Sequence, residues 1–248
     1  MRCLSPMPVK RPGSHNPTDI VIVPCGKCAA CFSARRNQWS VRLREHLKSA
    51  KFAVFVTLTY SCAPIGGLCK KDVQDYLKRL RFRLFGSEKG DISYYLCGEY
   101  GSNTQRPHYH LLLFNVDSSR MNDVIDCWQL GFVHVGYVTP QSIAYTTKYM
   151  IDIGNVPDGC CEPFQLMSKG LGKDYVERMR NWHDDDPLNR MYVPERGGMK
   201  APLPRYYRDK LYSKEQVAVA RRLRPDDDIV DFRLDFLRKY QYSERVKK

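Results

Sequence analysis

Three groups of side chains in this sequence have the type and spacing for chemistry. The first is His108-Tyr109-His110. In an extended strand, residues i and i+2 face the same way, so both imidazoles leave one side of a sheet. Two neutral imidazoles held that close can share a divalent metal ion. Alone, the pair reads equally well as two half-exposed polar residues. Glu99 sharpens it, because it ends a strand-like stretch, Ile92–Tyr100, that is separated by a short polar turn from a second, Pro107–Asn115. If the two strands pair antiparallel, Glu99 approaches both histidines. Two imidazoles and a carboxylate make a mixed nitrogen and oxygen set suited to Mg²⁺ or Mn²⁺, with positions left open for substrate oxygens.

The second group is Tyr145-Thr-Thr-Lys148-Tyr149. On a helix Tyr145 and Tyr149 are i and i+4 and share a face, and Lys148 borders it. A phenol is only about 0.1% ionised at neutral pH, so as a nucleophile it needs a cation or base nearby. Lys148 supplies that positive charge to the phenolate or to the phosphorane-like transition state. Taken alone, a tyrosine pair on a helix more often packs in a core.

The third group is Cys25-x2-Cys28-x2-Cys31, with Cys3 upstream. Four thiolates at CxxC-like spacing could hold structural zinc. A bacterial iron–sulfur run would need a further cysteine where Arg35 stands. The competing reading is four free thiols. Nothing else about the ten cysteines resembles a secreted disulfide framework in a chain of 248 residues with no apolar leader at its start, and a reducing cytoplasm is expected.

The elements that must position these groups follow from hydrophobic periodicity. Residues 1–24 are Pro-rich and irregular. A helix is expected from Ala29 to Ala50, a buried strand at Phe52–Tyr60 and an amphipathic basic helix at Lys71–Phe85 that Gly86 ends. After the Ile92–Tyr100 and Pro107–Asn115 hairpin come a helix over Ser118–Leu130 capped by Ser118 or Ser119, a strand at Phe132–Val138 and a helix at Gln141–Ile153. Further on, helices are expected at Lys173–His183, Ser213–Leu223 and Asp227–Tyr240, with an extended segment around Pro202 and Pro204. The class is α+β: a mostly antiparallel central sheet of about five strands flanked by helices. Three regions are expected: 1–50 with the cysteine cluster and a basic helix, 51–160 as the core, and 161–248 as an accessory basic region.

Charge points to the partner. Forty Lys and Arg against 27 Asp and Glu give +13. A surplus that large favours a polyanion, and it recurs locally: Lys27–Lys51 holds seven basic residues and one acidic. Nucleic acid explains this better than an anionic membrane, and no run reaches the roughly 18 apolar residues of a membrane span.

The stretches FVTLTY, GEYG…RPHYHLLLF and YTTKY, in that order and spacing, resemble the three motifs of HUH-superfamily rolling-circle replication initiators. The middle position of the histidine pair, usually hydrophobic in that family, is Tyr109 here. PCGKCAAC followed by ARRNQW and RLREH, and the later LPRYYRDKLY, are similar to the gokushovirus branch of the microviruses. The resemblance covers about residues 20–212. It implies an HUH endonuclease-like fold and a metal-dependent, site-specific single-strand DNA endonuclease and ligase. It implies Tyr145 and Tyr149 as alternating nucleophiles with Lys148 between them, and His108 and His110 as metal ligands. Glu99 is implied as the acidic third ligand, with Gln105 or His134 as substitutes. It further implies an origin in single-stranded DNA, host replication machinery as partner, no membrane, and the cytoplasm of a bacterial host. Competing readings are a non-catalytic, zinc-containing single-strand binding protein with Tyr94, Tyr95 and Tyr109 as a stacking surface, an HUH transposase or relaxase, and a two-histidine-one-carboxylate iron oxygenase. The last gives the basic charge and the tyrosine helix no role.

Overall fold

The computed structural model describes residues 3–87, 90–148 and 156–223. In chain order the strands and helices are β1 (Met7–Lys10), β2 (Ile20–Val23), α1 (Ala29–Ser49), β3 (Ala53–Tyr60), α2 (Lys70–Phe85), β4 (Ser93–Tyr100), β5 (Pro107–Phe114), α3 (Met121–Asp126), β6 (Gly131–Tyr137), α4 (Pro140–Lys148), β7 (Phe164–Met167), α5 (Asp174–Asp185), β8 (Tyr192–Pro194), β9 (Lys200–Pro202), α6 (Arg205–Leu211) and α7 (Lys214–Leu223). The chain divides into two compact units, one of Met1–Cys31 with Met179–Lys248 and one of Phe32–Arg178.

The larger unit is built on a five-stranded sheet in the order β6-β3-β5-β4-β7, antiparallel at each pairing. The class is α+β, as the periodicity predicts. β4 and β5 form the expected hairpin, and Glu99 stands directly opposite His108 in its ladder.

Alternation along the strands sorts side chains onto two faces. Val56, Leu58, Tyr109, Leu111, Leu113 and Leu96 point to one side, where Val73, Tyr76, Leu77 and Leu80 of α2 and Val124 of α3 complete the core. Leu111 and Leu113 therefore share a side, two residues apart. Leu112, Phe114 and Tyr95 point to the other, against Leu43 of α1 and Ile143 of α4. The histidines of β5 emerge on this second face.

Local signals explain most boundaries. Gly86 caps α2 in the left-handed conformation, φ 68°, and its N–H closes on the Phe82 carbonyl. Pro140 opens α4, where a missing N–H costs nothing. Thr139 and Ser142 cap that helix reciprocally: the Thr139 hydroxyl accepts the Ser142 N–H at 3.1 Å, and the Ser142 hydroxyl accepts the Thr139 N–H at 2.7 Å.

Two expectations are corrected. The helix expected over Ser118–Leu130 is a 3₁₀ turn, Ser118–Arg120, followed by α3, which ends at Asp126. Its cap is Asp117, which accepts the Ser119 N–H at 2.8 Å, rather than either serine. The helix stops early because Cys127 and Trp128 are drawn into the core, where the indole N–H donates to the Thr59 carbonyl at 2.9 Å. Gly131 then enters β6 so close to β3 that a Cβ there would lie 2.3 Å from the Thr59 carbonyl oxygen. The helix expected at Asp227–Tyr240 lies outside the described residues.

In the smaller unit, β1 and β2 make a two-stranded ribbon with Met7 opposite Val23. A second ribbon pairs β8 with β9. The extended segment expected around Pro202 is β9, and Pro204 is the N-cap of α6. His183 is buried in this unit, its Nδ1 lying 2.6 Å from the Tyr212 hydroxyl.

Candidate active site

The antiparallel register does what the sequence argument requires of it. With Glu99 across from His108, the carboxylate lies on the same face as His108 and His110. Glu99 Oε1 is 2.7 Å from His108 Nε2 and 3.1 Å from His110 Nε2. The donor atoms of all three residues lie within 4.8 Å of one another. Glu99 and His110 are buried and His108 is half-buried.

The other ring nitrogens are anchored. His108 Nδ1 lies 3.0 Å from the Arg106 carbonyl, which can only accept, so Nδ1 carries a proton. His110 Nδ1 lies 3.1 Å from the Thr57 hydroxyl, across the ladder from β3. Both anchors leave Nε2 as the ligating atom, aimed at the carboxylate. This is the outer arrangement that metal-binding imidazoles adopt, so the residues fit a divalent ion.

Electrostatics agree with a triad of opposite charges. Burial works against the charged form of Glu99, but hydrogen bonds from His108 and His110 outweigh it and hold its pKa below the usual carboxylate range. Burial likewise opposes protonation of His108, yet the hydrogen bonds to Glu99 and to the Arg106 carbonyl raise its pKa above the ordinary imidazole value. Without metal, His108 thus occupies the place of a cation beside Glu99.

Helix α4 brings the phenol. Ile143, Thr146 and Thr147 are its buried side, and the Cys97 thiol of β4 lies 3.5 Å from the Thr146 carbonyl. Tyr145 falls beside that stripe at 44% exposure. Its ring meets His110 edge-on, with centroids 5.2 Å apart, and it also meets Phe55, whose own ring stacks on His110 at 5.5 Å. Lys148 is exposed at the end of α4. Tyr149 lies outside the described residues, so the i, i+4 pairing of the two phenols is not part of the described geometry.

Neither substitute third ligand joins the group. Gln105 is exposed in the β4–β5 turn with φ 51°. His134 is exposed on the edge strand β6, opposite Thr57, which separates it from His110. Tyr109 faces the other way. It is fully buried, and its hydroxyl accepts the Cys69 N–H at 2.7 Å, with Tyr60 Oη 2.8 Å away. Burial pushes its pKa up to about 12. With Tyr95 also buried, neither can serve as a stacking surface.

Sequence reasoning did not find Thr57, the Arg106 carbonyl or Phe55, which orient the two imidazoles. Phe55-x-Thr57 carries the alternation that would place both on one face, but only the β3–β5 register assigns that face to the histidines.

In the smaller unit, Cys3, Cys25, Cys28 and Cys31 gather, their sulfurs within 4.8 Å of one another. Among the described residues these two sets, Glu99-His108-His110 and the four cysteines, are the groups able to hold a metal ion.

Residues 53–153 match the family model of the phage replication-associated protein ORF2, a span that contains Glu99, His108, His110, Tyr145, Lys148 and Tyr149. Across 84% of its length the chain is 27% identical to replication-associated protein VP4 of Bdellovibrio phage phiMH2K, covering 79% of that protein. It is 28% identical to replication-associated protein ORF2 of Spiroplasma virus 4, over 75% of this chain and 66% of that one. With replication-associated protein ORF4 of Chlamydia phage 1 the identity is 22%, over 76% of this chain and 53% of the relative. No solved structure matches the chain. Sheet, motifs and relatives agree, and the chain belongs with the phage replication-associated proteins of the rolling-circle type.

Proposed function

We propose that this protein starts rolling-circle replication by nicking and rejoining single-stranded DNA at a phage origin, inside the bacterial host, through a covalent 5′-phosphotyrosine. The observation that carries the reading is the edge-on placement of Tyr145 against His110, whose Nε2 converges with that of His108 on Glu99.

Glu99, His108 and His110 would hold one divalent ion of the Mg²⁺ or Mn²⁺ kind. When bound, such an ion polarises the non-bridging oxygens of the scissile phosphate. The steps belong to the protein. The Tyr145 oxygen attacks phosphorus as its proton leaves, a P–O bond to tyrosine forms, and the P–O3′ bond breaks. The departing 3′ oxygen takes up a proton and becomes a free 3′-OH for a host polymerase. Lys148, three residues along α4, contributes positive charge to the phenolate and to the crowded phosphorus centre. Rejoining reverses this balance: a 3′-OH attacks the phosphotyrosine, and the phenol leaves. The ester conserves the bond energy, so no nucleotide triphosphate is consumed. Tyr149 is the second nucleophile, acting on the regenerated origin after one round. The surplus of 13 positive charges holds the strand.

The test is covalent capture. The protein is incubated with origin-containing single-stranded DNA and Mn²⁺, denatured, and the adduct peptide is sequenced by mass spectrometry. Label on Tyr145 or Tyr149 is the expected result. Absence of any adduct across sequences and metals would leave a single-strand binding protein without chemistry.

A further inference from the structure

The cysteine cluster has no part in that chemistry. It lies outside the matched family segment and has a different ligand character from the Glu99 site. Its geometry can be compared with that of a metal cage. A Zn–S bond of about 2.3 Å in a regular tetrahedron requires sulfurs about 3.8 Å apart. The Cys3–Cys25, Cys3–Cys28 and Cys25–Cys31 sulfur distances are 3.5, 3.8 and 4.0 Å. A disulfide would need about 2.05 Å, and all four thiols are free.

The backbone around the cluster is arranged for anionic sulfur. The Cys25 N–H donates to Cys3 Sγ at 3.3 Å, and the Leu4 N–H donates to Cys28 Sγ at 3.3 Å. The Lys27 and Cys28 N–H groups both donate to Cys25 Sγ at 3.4 Å. Gly26, at φ 75°, makes the turn that aims this pair, in a conformation other residues rarely adopt. Four thiolates around a dication carry a net charge of −2, and such backbone dipoles stabilise it.

The cluster also occupies a telling place. Cys3 precedes β1 and Cys25 follows β2, so both lie at the same end of the β1–β2 ribbon, while Cys31 sits in the first turn of α1. An isolated two-stranded ribbon is marginal in water, and this one has half-exposed strands. Closing its open end with metal is a known physical route to stability for a small element.

We propose that Cys3, Cys25, Cys28 and Cys31 hold one zinc ion in a closed, structural tetrathiolate site, and that this ion keeps residues 3–31 folded. All four positions are protein ligands, so none is open to substrate. Soft sulfur here and hard oxygen with imidazole at Glu99-His108-His110 would let one chain sort two metals.

The full chain, purified under reducing conditions, is desalted and its metal content measured. One zinc per chain is expected. Loading with Co²⁺ should give the intense visible absorption of tetrahedral tetrathiolate cobalt, unchanged by H108A/H110A and weakened in C28S. Where C28S does not fold, limited proteolysis of the wild type decides: stripping zinc should open cleavage within residues 3–31, and adding zinc back should close it. Substoichiometric zinc, iron in its place, a weak octahedral cobalt spectrum, or loss of zinc in H108A/H110A would each overturn the assignment. Unchanged proteolysis after stripping would overturn the folding role.

Discussion

Glu99 Oε1 lies 2.7 Å from His108 Nε2, across a hydrogen-bonded ladder that places the two residues directly opposite each other. A carboxylate so placed is either a metal ligand or half of an ion pair, and conservative substitution separates the roles. Glu99→Gln keeps the shape and removes the charge. We expect metal-dependent nicking to fall by at least the ~10–100-fold that follows loss of a group supporting a metal site, while single-strand affinity without metal is nearly unchanged. His108→Ala with His110→Ala should abolish nicking and also spare affinity. Nicking assays beside fluorescence anisotropy check both, and undiminished nicking in the double variant would remove the metal role.

The same pair gives a pH signature in the stripped protein. Glu99 has a depressed pKa, so its contribution to stability is present above its unfolded value and is lost as pH falls through the folded one. His108 has a raised pKa, so its contribution is present below its unfolded value and is lost as pH rises through the folded one. With ordinary values of 4.5 and 6.5, the triad stabilises most between them. In chelator, the melting temperature should be higher near the middle of that window than in mild alkali, and His108→Ala should flatten the difference. Bound metal should reverse the trend, because binding expels the His108 Nε2 proton.

Tyr145 is the described phenol at this site. Tyr145→Phe preserves the edge-on contact with His110 and removes the hydroxyl. Alone it should leave some adduct, formed at Tyr149, and impair the complete cycle of cleavage and closure. With Tyr149→Phe added, adducts should vanish from denaturing gels. A double variant that still links to DNA would disprove the nucleophile assignment.

What the sequence disclosed and what it withheld divide along physical lines. The sheet strands of the larger unit were legible where β-branched and aromatic residues run for eight residues, as in β3, and where glycine marks an end, as at Gly86. The site was legible because i, i+2 in a strand and a short turn leave few ways to arrange Glu99, His108 and His110. Strands of three or four residues, such as β1, β8 and β9, carry too little periodicity to be seen. The end of α3 depends on Trp128 finding the Thr59 carbonyl, a partner 69 positions away. Tyr109 looked like a surface aromatic between two ligands, yet alternation turns it into the core.

That inward turn carries its own prediction. Tyr109→Phe keeps the ring against Trp128 and Phe164 but leaves the buried Cys69 N–H without its acceptor. An unsatisfied buried donor costs ~1–3 kcal/mol. At this chain length that lowers the melting temperature by roughly 2–4 °C per kcal/mol. Nicking at permissive temperature should persist, because the hydroxyl lies on the far side of the sheet from His110. A variant that melts normally but fails to nick would mean Tyr109 reaches the site.

The outer strand of the sheet supplies a surface for the substrate. Phe132 pairs with Thr59, which pairs with His108, so all three share the face on which the metal ligands stand. Phe132 is 69% exposed, a high value for a phenylalanine on a strand beside a polar centre. Nucleotide bases stack on such rings at ~1–3 kcal/mol each, whatever their sequence. Phe132→Ala should therefore weaken single-strand binding by about 5- to 150-fold. It should leave unchanged the slope of log affinity against log salt, because no phosphate contact is lost. Phe132→Trp should restore binding. Anisotropy titrations over a range of salt, run on both variants, measure affinity and slope together; a shallower slope with Phe132→Ala would mean that the residue orders a basic contact instead of a base.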